Sequence, residues 1–265
     1  MSSSLAAIPD FFVQACSYRE YLVQSVLRDL RNKYKRSVLG YCWTMLHPLA
    51  MMTVLAVVFS HIMRVGIKDY AVFLFAGLLP WNYFHSSVMM SLGSIRANAR
   101  LFSQIPVPKY IFVLSVVFSN LVNYLLAVVP MLLIVLAFGR SIPWTVLLFP
   151  VMLLPLFFVV TGVSLLLAAS NVFFDDTLHL SEVGLSMLYF MSPVLYGREQ
   201  LPDWLTQYLI INPLFCQIEF LRGIFYDGTL PSLELYLMSL GAAILLFFVA
   251  LSAFRRLEDR FLYFI

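Results

Sequence analysis

Asp175 and Asp176 are adjacent in a stretch without Lys or Arg, with His179 close behind. Two neighbouring carboxylates could divide acid and base work between them, and carboxylates within a membrane-embedded chain are functional suspects by default. In a loop, however, they read more simply as solvated charges. The histidines His47, His61, His85 and His179 occur singly, and Cys16, Cys42 and Cys216 lie far apart, so neither a metal-ligand spacing nor a disulfide framework is visible. The chain has no Gly-rich phosphate loop ending in Gly-Lys-Ser/Thr, no His-Glu-x-x-His and no Gly-x-Ser-x-Gly. No catalytic residue and no metal or cofactor bound by this chain is expected. Any nucleotide-driven work must come from another subunit.

The other charges fall into groups. Residues 28–48 read RDLRNKYKRSVLGYCWTMLHP. A helical count puts Leu22, Val23, Val26, Leu27, Leu30 and Tyr34 on one arc, with Gln24, Arg28, Arg31 and Lys35 opposite, the pattern of an amphipathic helix lying on a membrane surface. Lys33 falls in the apolar arc and reaches the headgroups by snorkelling. The cluster Arg28, Arg31, Lys33, Lys35 and Arg36 would attract anionic lipid headgroups by about 1 kcal/mol per charge. Arg96 and Arg100 stand at i, i+4 in a polar loop that closes on Pro106, Pro108 and Lys109, which suits a short helix with a stiff exit. Glu219 and Arg222 stand at i, i+3, a pairing worth only about 0.2–0.5 kcal/mol in water.

The elements that must carry these residues are apolar. The 265 residues are 62% hydrophobic and 12% charged, with mean hydropathy +0.89, against about 25% charged in a soluble domain. An all-α integral membrane protein is expected, a single transmembrane domain over 1–265. Its parts would be an interface helix within 1–39, six spans, a cytoplasmic loop at 93–109 and a broken segment at 197–228. The spans read about 40–63, 70–92, 110–138, 144–169, 182–196 and 233–254. Gly77 and Pro80 predict a kink in the second span. The segment 197–228 is apolar but interrupted by Pro202 and Pro213, as two half-length helices dipping into the membrane would be. Of the seventeen Lys and Arg, six fall in the first 40 residues, three between the second and third spans and three in the tail, so both termini are expected on the cytoplasmic side. The net charge of +3 is modest, and nucleic-acid binding is not indicated. The first twelve residues lack the form of a cleavable signal peptide.

Five stretches in order, RDLRNKYKRSVLGYCW with Pro48, GLLPWNYF (77–84), NARLFSQIPVPKYIFVLSVVFSNLVNY (98–124), SPVLYGREQLP (192–202) and NPLFCQIEFLRG (212–223), resemble the membrane subunit of bacterial ATP-binding-cassette polysaccharide exporters. One departure is Asp175, where that family usually has Arg before Asp. The resemblance implies a homodimer in the bacterial inner membrane, bound to two cytoplasmic ATPase subunits that hold ATP and Mg, exporting a glycan on an undecaprenyl pyrophosphate lipid. O-antigen is the favoured cargo, with capsule, teichoic acid or a drug or lipid as alternatives; an intramembrane enzyme acting on lipid-linked sugars is the least favoured reading. It further implies that Arg96, Arg100, Phe102 and Lys109 couple the ATPase, and that the basic cluster receives the lipid headgroup. Phe59, Trp81, Tyr83, Tyr189, Phe190 and Tyr196, on the first, second and fifth spans, would face the pore. The segment with Pro202, Pro213, Glu219 and Arg222 would close it on the outer side.

Overall fold

A computed structural model describes residues 17–33, 42–63, 67–102, 107–139, 141–202, 204, 209 and 212–264. All regular structure among them is helical. The helices are α1 (Arg19–Lys33), α2 (Cys42–Met63), α3 (Ile67–Leu92), the short α4 (Ser94–Ala97) and α5 (Ala99–Phe102), and α6 (Tyr110–Ala137). A 3₁₀ turn, Trp144–Leu148, leads into α7 (Phe149–Phe173); then come α8 (Thr177–Met191), α9 (Pro213–Arg222) with a π turn over Gly223–Asp227, and α10 (Leu233–Glu258). Tyr110–Ala137, Trp144–Phe173 and Leu233–Glu258 are each long and apolar enough to cross a bilayer.

α3 is the hub, packing on α2, α6, α7 and α9, while α10 lies along α7. Hydrocarbon offers little hydrophobic drive for such packing, so close backbone approach and interhelical hydrogen bonds must hold it. Gly162 of α7 is one such approach: a Cβ there would lie 3.2 Å from the Phe247 Cα of α10. Two apolar cores stack along the bundle. One, around Ile95, Tyr110, Ile111, Phe247, Phe254 and Phe261, lies at the end rich in Arg and Lys. The other, around Phe75, Phe84, Tyr124, Leu156 and Phe220, fills the middle and the far end.

Two elements, α1 and α8, depart from the sequence reading. α1 packs on α6 through a stripe that includes buried Ser25 and Leu30, with Tyr21 edge-on to Phe112 at 5.9 Å, while Val23 and Leu27 stay exposed. The apolar arc is therefore split between the bundle and the outside rather than given wholly to a membrane surface. α3 holds Pro80 inside one helix from Ile67 to Leu92. α8 runs Thr177–Met191 rather than 182–196. Thr177, His179 and Ser181 read as loop because of their composition, yet they form the first turns of a helix, with His179 exposed and Thr177 and Ser181 turned inward and buried. At the other end Pro193 forces the preceding Ser192 into extended backbone (φ −96°, ψ 143°), which stops the helix at Met191.

Candidate functional site

At the far end, the extended chain after α8 carries a main-chain carbonyl at each of Val194, Leu195 and Tyr196, and none has a helical partner. Arg222, at the end of α9, is 3% exposed and donates from Nη2 to Val194 O at 2.7 Å and from Nη1 to Tyr196 O at 3.1 Å. Tyr70 of α3 takes the carbonyl between them, donating its hydroxyl to Leu195 O at 2.8 Å. The guanidinium also stacks on Phe73, 3.6 Å from the ring centroid, and Nη1 lies 3.4 Å from Glu219 Oε1. Gly77 makes room for this. A Cβ there would sit 2.9 Å from both Arg222 Nη2 and Val194 O, so no side chain fits between α3 and the guanidinium.

Glu219 and Arg222 thus do meet, but the pair is one edge of a buried clamp rather than a solvent-exposed helix pair. Pro213 opens α9 at its first turn, and Asn212 caps it by accepting from Leu214 N at 3.0 Å. The Asn212 amide also reaches Ser192 Oγ at 3.2 Å. Thr145 holds the π turn through Ile224 O at 2.8 Å. Pro202 is exposed and lies outside the clamp. Gly77, Tyr70 and Asn212 were missed in the sequence; the Asn-Pro pair alone carried a readable signal, that of a capped helix start.

Between α2, α3 and α8 runs an open groove of about 360 Å³. α3 lines it with Leu78, Trp81, Asn82 and His85, α8 with Leu185, Ser186, Tyr189 and Phe190, and α2 with Met51, Met52 and Leu55, each set at helical spacing. Trp81 and Tyr189 rings stand 5.2 Å apart, and Tyr189 is edge-on to Phe190 at 5.3 Å. Trp81, Tyr189 and Phe190 are brought together in this groove. Tyr83 is not part of the groove: it is buried on the opposite side of α3, stacked on Tyr124 of α6 at 5.4 Å. Tyr196 sits beyond the groove and donates to Phe190 O at 2.7 Å, tying the groove's rim to the clamp. The Phe59 side chain lies outside the described residues. The groove offers aromatic faces, an amide, an imidazole and a hydroxyl. It suits a neutral polar ligand more than an ion.

At the basic end, Arg96 of α4 pairs with Asp175 in the α7–α8 turn and donates to Val172 O at 3.0 Å. Asp175 is therefore engaged with a cation from another part of the basic end and stays largely exposed. Asn171 donates to Leu92 O at 2.9 Å, satisfying a carbonyl at the end of α3. Lys109 donates to Glu258 O and lies over the Phe261 ring. Arg100 is exposed and shares an open cavity of about 800 Å³ with Arg96, Asp175 and Phe264. Arg28 and Arg31 are exposed on α1. The Lys33 and Phe102 side chains, together with Lys35 and Arg36, lie outside the described residues, as does the Pro213 side chain.

Residues 21–226 match the ABC-2 type transporter family. An O-antigen export system permease protein, RfbA, of Myxococcus xanthus is 32% identical over 92% of this chain and 95% of its own length. The protein of the same name in Klebsiella pneumoniae is 31% identical over 91% and 93%. The polysialic acid transport protein KpsM of Escherichia coli is 27% identical over 89% and 93%.

Proposed function

Because the chain belongs to the ABC-2 type transporter family, we propose that it is the membrane subunit of an exporter for lipid-linked polysaccharide, O-antigen first among the cargoes. The observation that carries this is the likeness to O-antigen export permeases at 31–32% identity over more than nine-tenths of both chains. The weaker likeness to a polysialic acid transporter supports a capsule as the second cargo. In this reading six helices cross the inner membrane, both termini are cytoplasmic, and the basic end faces the cytoplasm, as the distribution of Lys and Arg favours. Two copies assemble with two cytoplasmic ATPase subunits, which supply ATP hydrolysis with Mg; this chain adds no catalytic residue.

The groove between α2, α3 and α8 would form part of the glycan path, because aromatic faces give sugars CH contacts without fixing them in one geometry. The far-end clamp, with Pro213, Glu219 and Arg222, holds the outer rim. Arg96, Arg100, Phe102 and Lys109 receive the ATPase, and the basic cluster from Arg28 to Arg36 meets the anionic lipid headgroup. Deleting the protein while its ATPase partner remains should cause undecaprenyl-linked polymer to accumulate inside the cell and vanish from the surface. Absence of such accumulation refutes the exporter reading.

A further inference from the structure

The last residues of the chain are built as a platform. Phe261 is fully buried, its ring 5.3 Å from Phe254 and 5.6 Å from Phe173. Lys109, at the head of α6, covers the same ring at 5.7 Å and donates to Glu258 O, so the tail is pinned to the loop that precedes α6. Past this anchor, Leu262 (62%), Tyr263 (86%) and Phe264 (55%) are exposed. Phe264 packs edge-on to Phe173 at 4.9 Å and lines, with Arg96, Ala97, Ala99, Arg100 and Asp175, the open cavity at this end. Two guanidiniums and a carboxylate among its lining side chains make this cavity a poor seat for a lipid tail. An aqueous protein surface with apolar side chains beside an acidic one suits it better, and aromatic and Arg residues side by side are the composition of interface anchors.

We propose that Leu262, Tyr263 and Phe264 form, with the Arg96–Arg100 loop, one composite docking surface for the ATPase subunit. The inference rests on the exporter reading given above and adds to it a contact from the opposite end of the chain. Coupling then runs through Phe261 and Lys109 into both α6 and α10, rather than through the loop alone.

The test uses the full-length permease co-purified with its cognate ATPase in detergent. It compares wild type, Leu262→Ser/Tyr263→Ser/Phe264→Ser, Phe264→Asp, and Arg96→Ala/Arg100→Ala. The triple serine variant and Phe264→Asp should each lower ATPase retention about tenfold or more, while the permease stays in the membrane fraction with wild-type abundance. Full retention by both tail variants, with loss in the arginine variant, overturns the composite surface and leaves the exporter reading standing. So does a tail variant that keeps the ATPase but binds vesicles of anionic lipid more weakly, which would assign the tail to the membrane. Failure of the wild type to retain the ATPase refutes the exporter reading, and this inference with it.

Discussion

Removing the Arg222 guanidinium exposes how the far end is held. In Arg222→Ala two buried carbonyls, Val194 O and Tyr196 O, lose donors at 2.7 and 3.1 Å. Each buried acceptor left unpaired costs about 1–3 kcal/mol, hence about 2–6 kcal/mol for the two. Loss of the stacking on Phe73 adds about 1–2 kcal/mol. Glu219, 30% exposed, can recover water, so its lost partner adds less than a fully buried carboxylate would. At about 2–4 °C per kcal/mol for a chain of this size, the midpoint in detergent should fall by at least about 5 °C, followed by size-exclusion after graded heating. Arg222→Lys should recover little, because one ammonium cannot span two carbonyls and a ring. Gly77→Ala should cost about 1–3 kcal/mol by overpacking against Nη2 and Val194 O. In the Arg222→Ala background that cost should shrink, since one of its two clashes is gone. An Arg222→Ala protein melting within about 1 °C of wild type, or a Gly77→Ala cost unaltered by the loss of Arg222, would show that the clamp does not hold this end.

Other perturbations separate packing from transport. Gly162→Val should disrupt the α7–α10 crossing and abolish recovery of folded protein, because the new side chain meets the Phe247 backbone rather than a movable tip; normal recovery contradicts the close approach. Tyr83→Phe should leave stability and export within error, since the buried hydroxyl has no hydrogen-bond partner among the described residues, whereas Trp81→Ala and Tyr189→Ala should reduce surface polymer at unchanged permease abundance. A Tyr83→Phe variant with the larger export defect would place the path on the wrong face of α3. Arg96→Asp should impair export, and Arg96→Asp/Asp175→Arg should restore it at least in part. The Arg96–Asp175 pair itself contributes only about 0.2–1 kcal/mol to stability as an exposed pair, and both variants also lose the Arg96 bond to Val172 O; no rescue of export argues against a contact between the two loops.

Most helices were legible because hydrocarbon demands long apolar runs, and 42–63, 110–137 and 233–258 follow the sequence reading closely. α8 was misplaced at both ends for a physical reason. Its first turns carry Thr177, His179 and Ser181, which composition assigns to a loop, and its stop depends on a single proline acting on the residue before it. The groove was half legible. Trp81, Tyr189 and Phe190 could be named from their spans, but Tyr83 lies two residues from Trp81, on the other side of the helix, and only packing decides which side meets α6. The clamp was nearly invisible: Arg222 binds main-chain oxygens 26 and 28 residues away, and a carbonyl leaves no mark in the amino-acid code. Gly77 registered only as a kink, whereas its role is to leave a volume empty.

Because Val194, Leu195 and Tyr196 are recognised through oxygens common to every residue, this stretch is a ruler rather than a word. Exchanging the half-buried Leu195 for another apolar residue leaves all three oxygens in reach of Tyr70 and Arg222. Deleting one residue between Ser192 and Gly197 displaces them by about 3.3 Å, more than a hydrogen bond tolerates. Drift among descendants of this chain should therefore alter the letters of the stretch freely and its length scarcely at all.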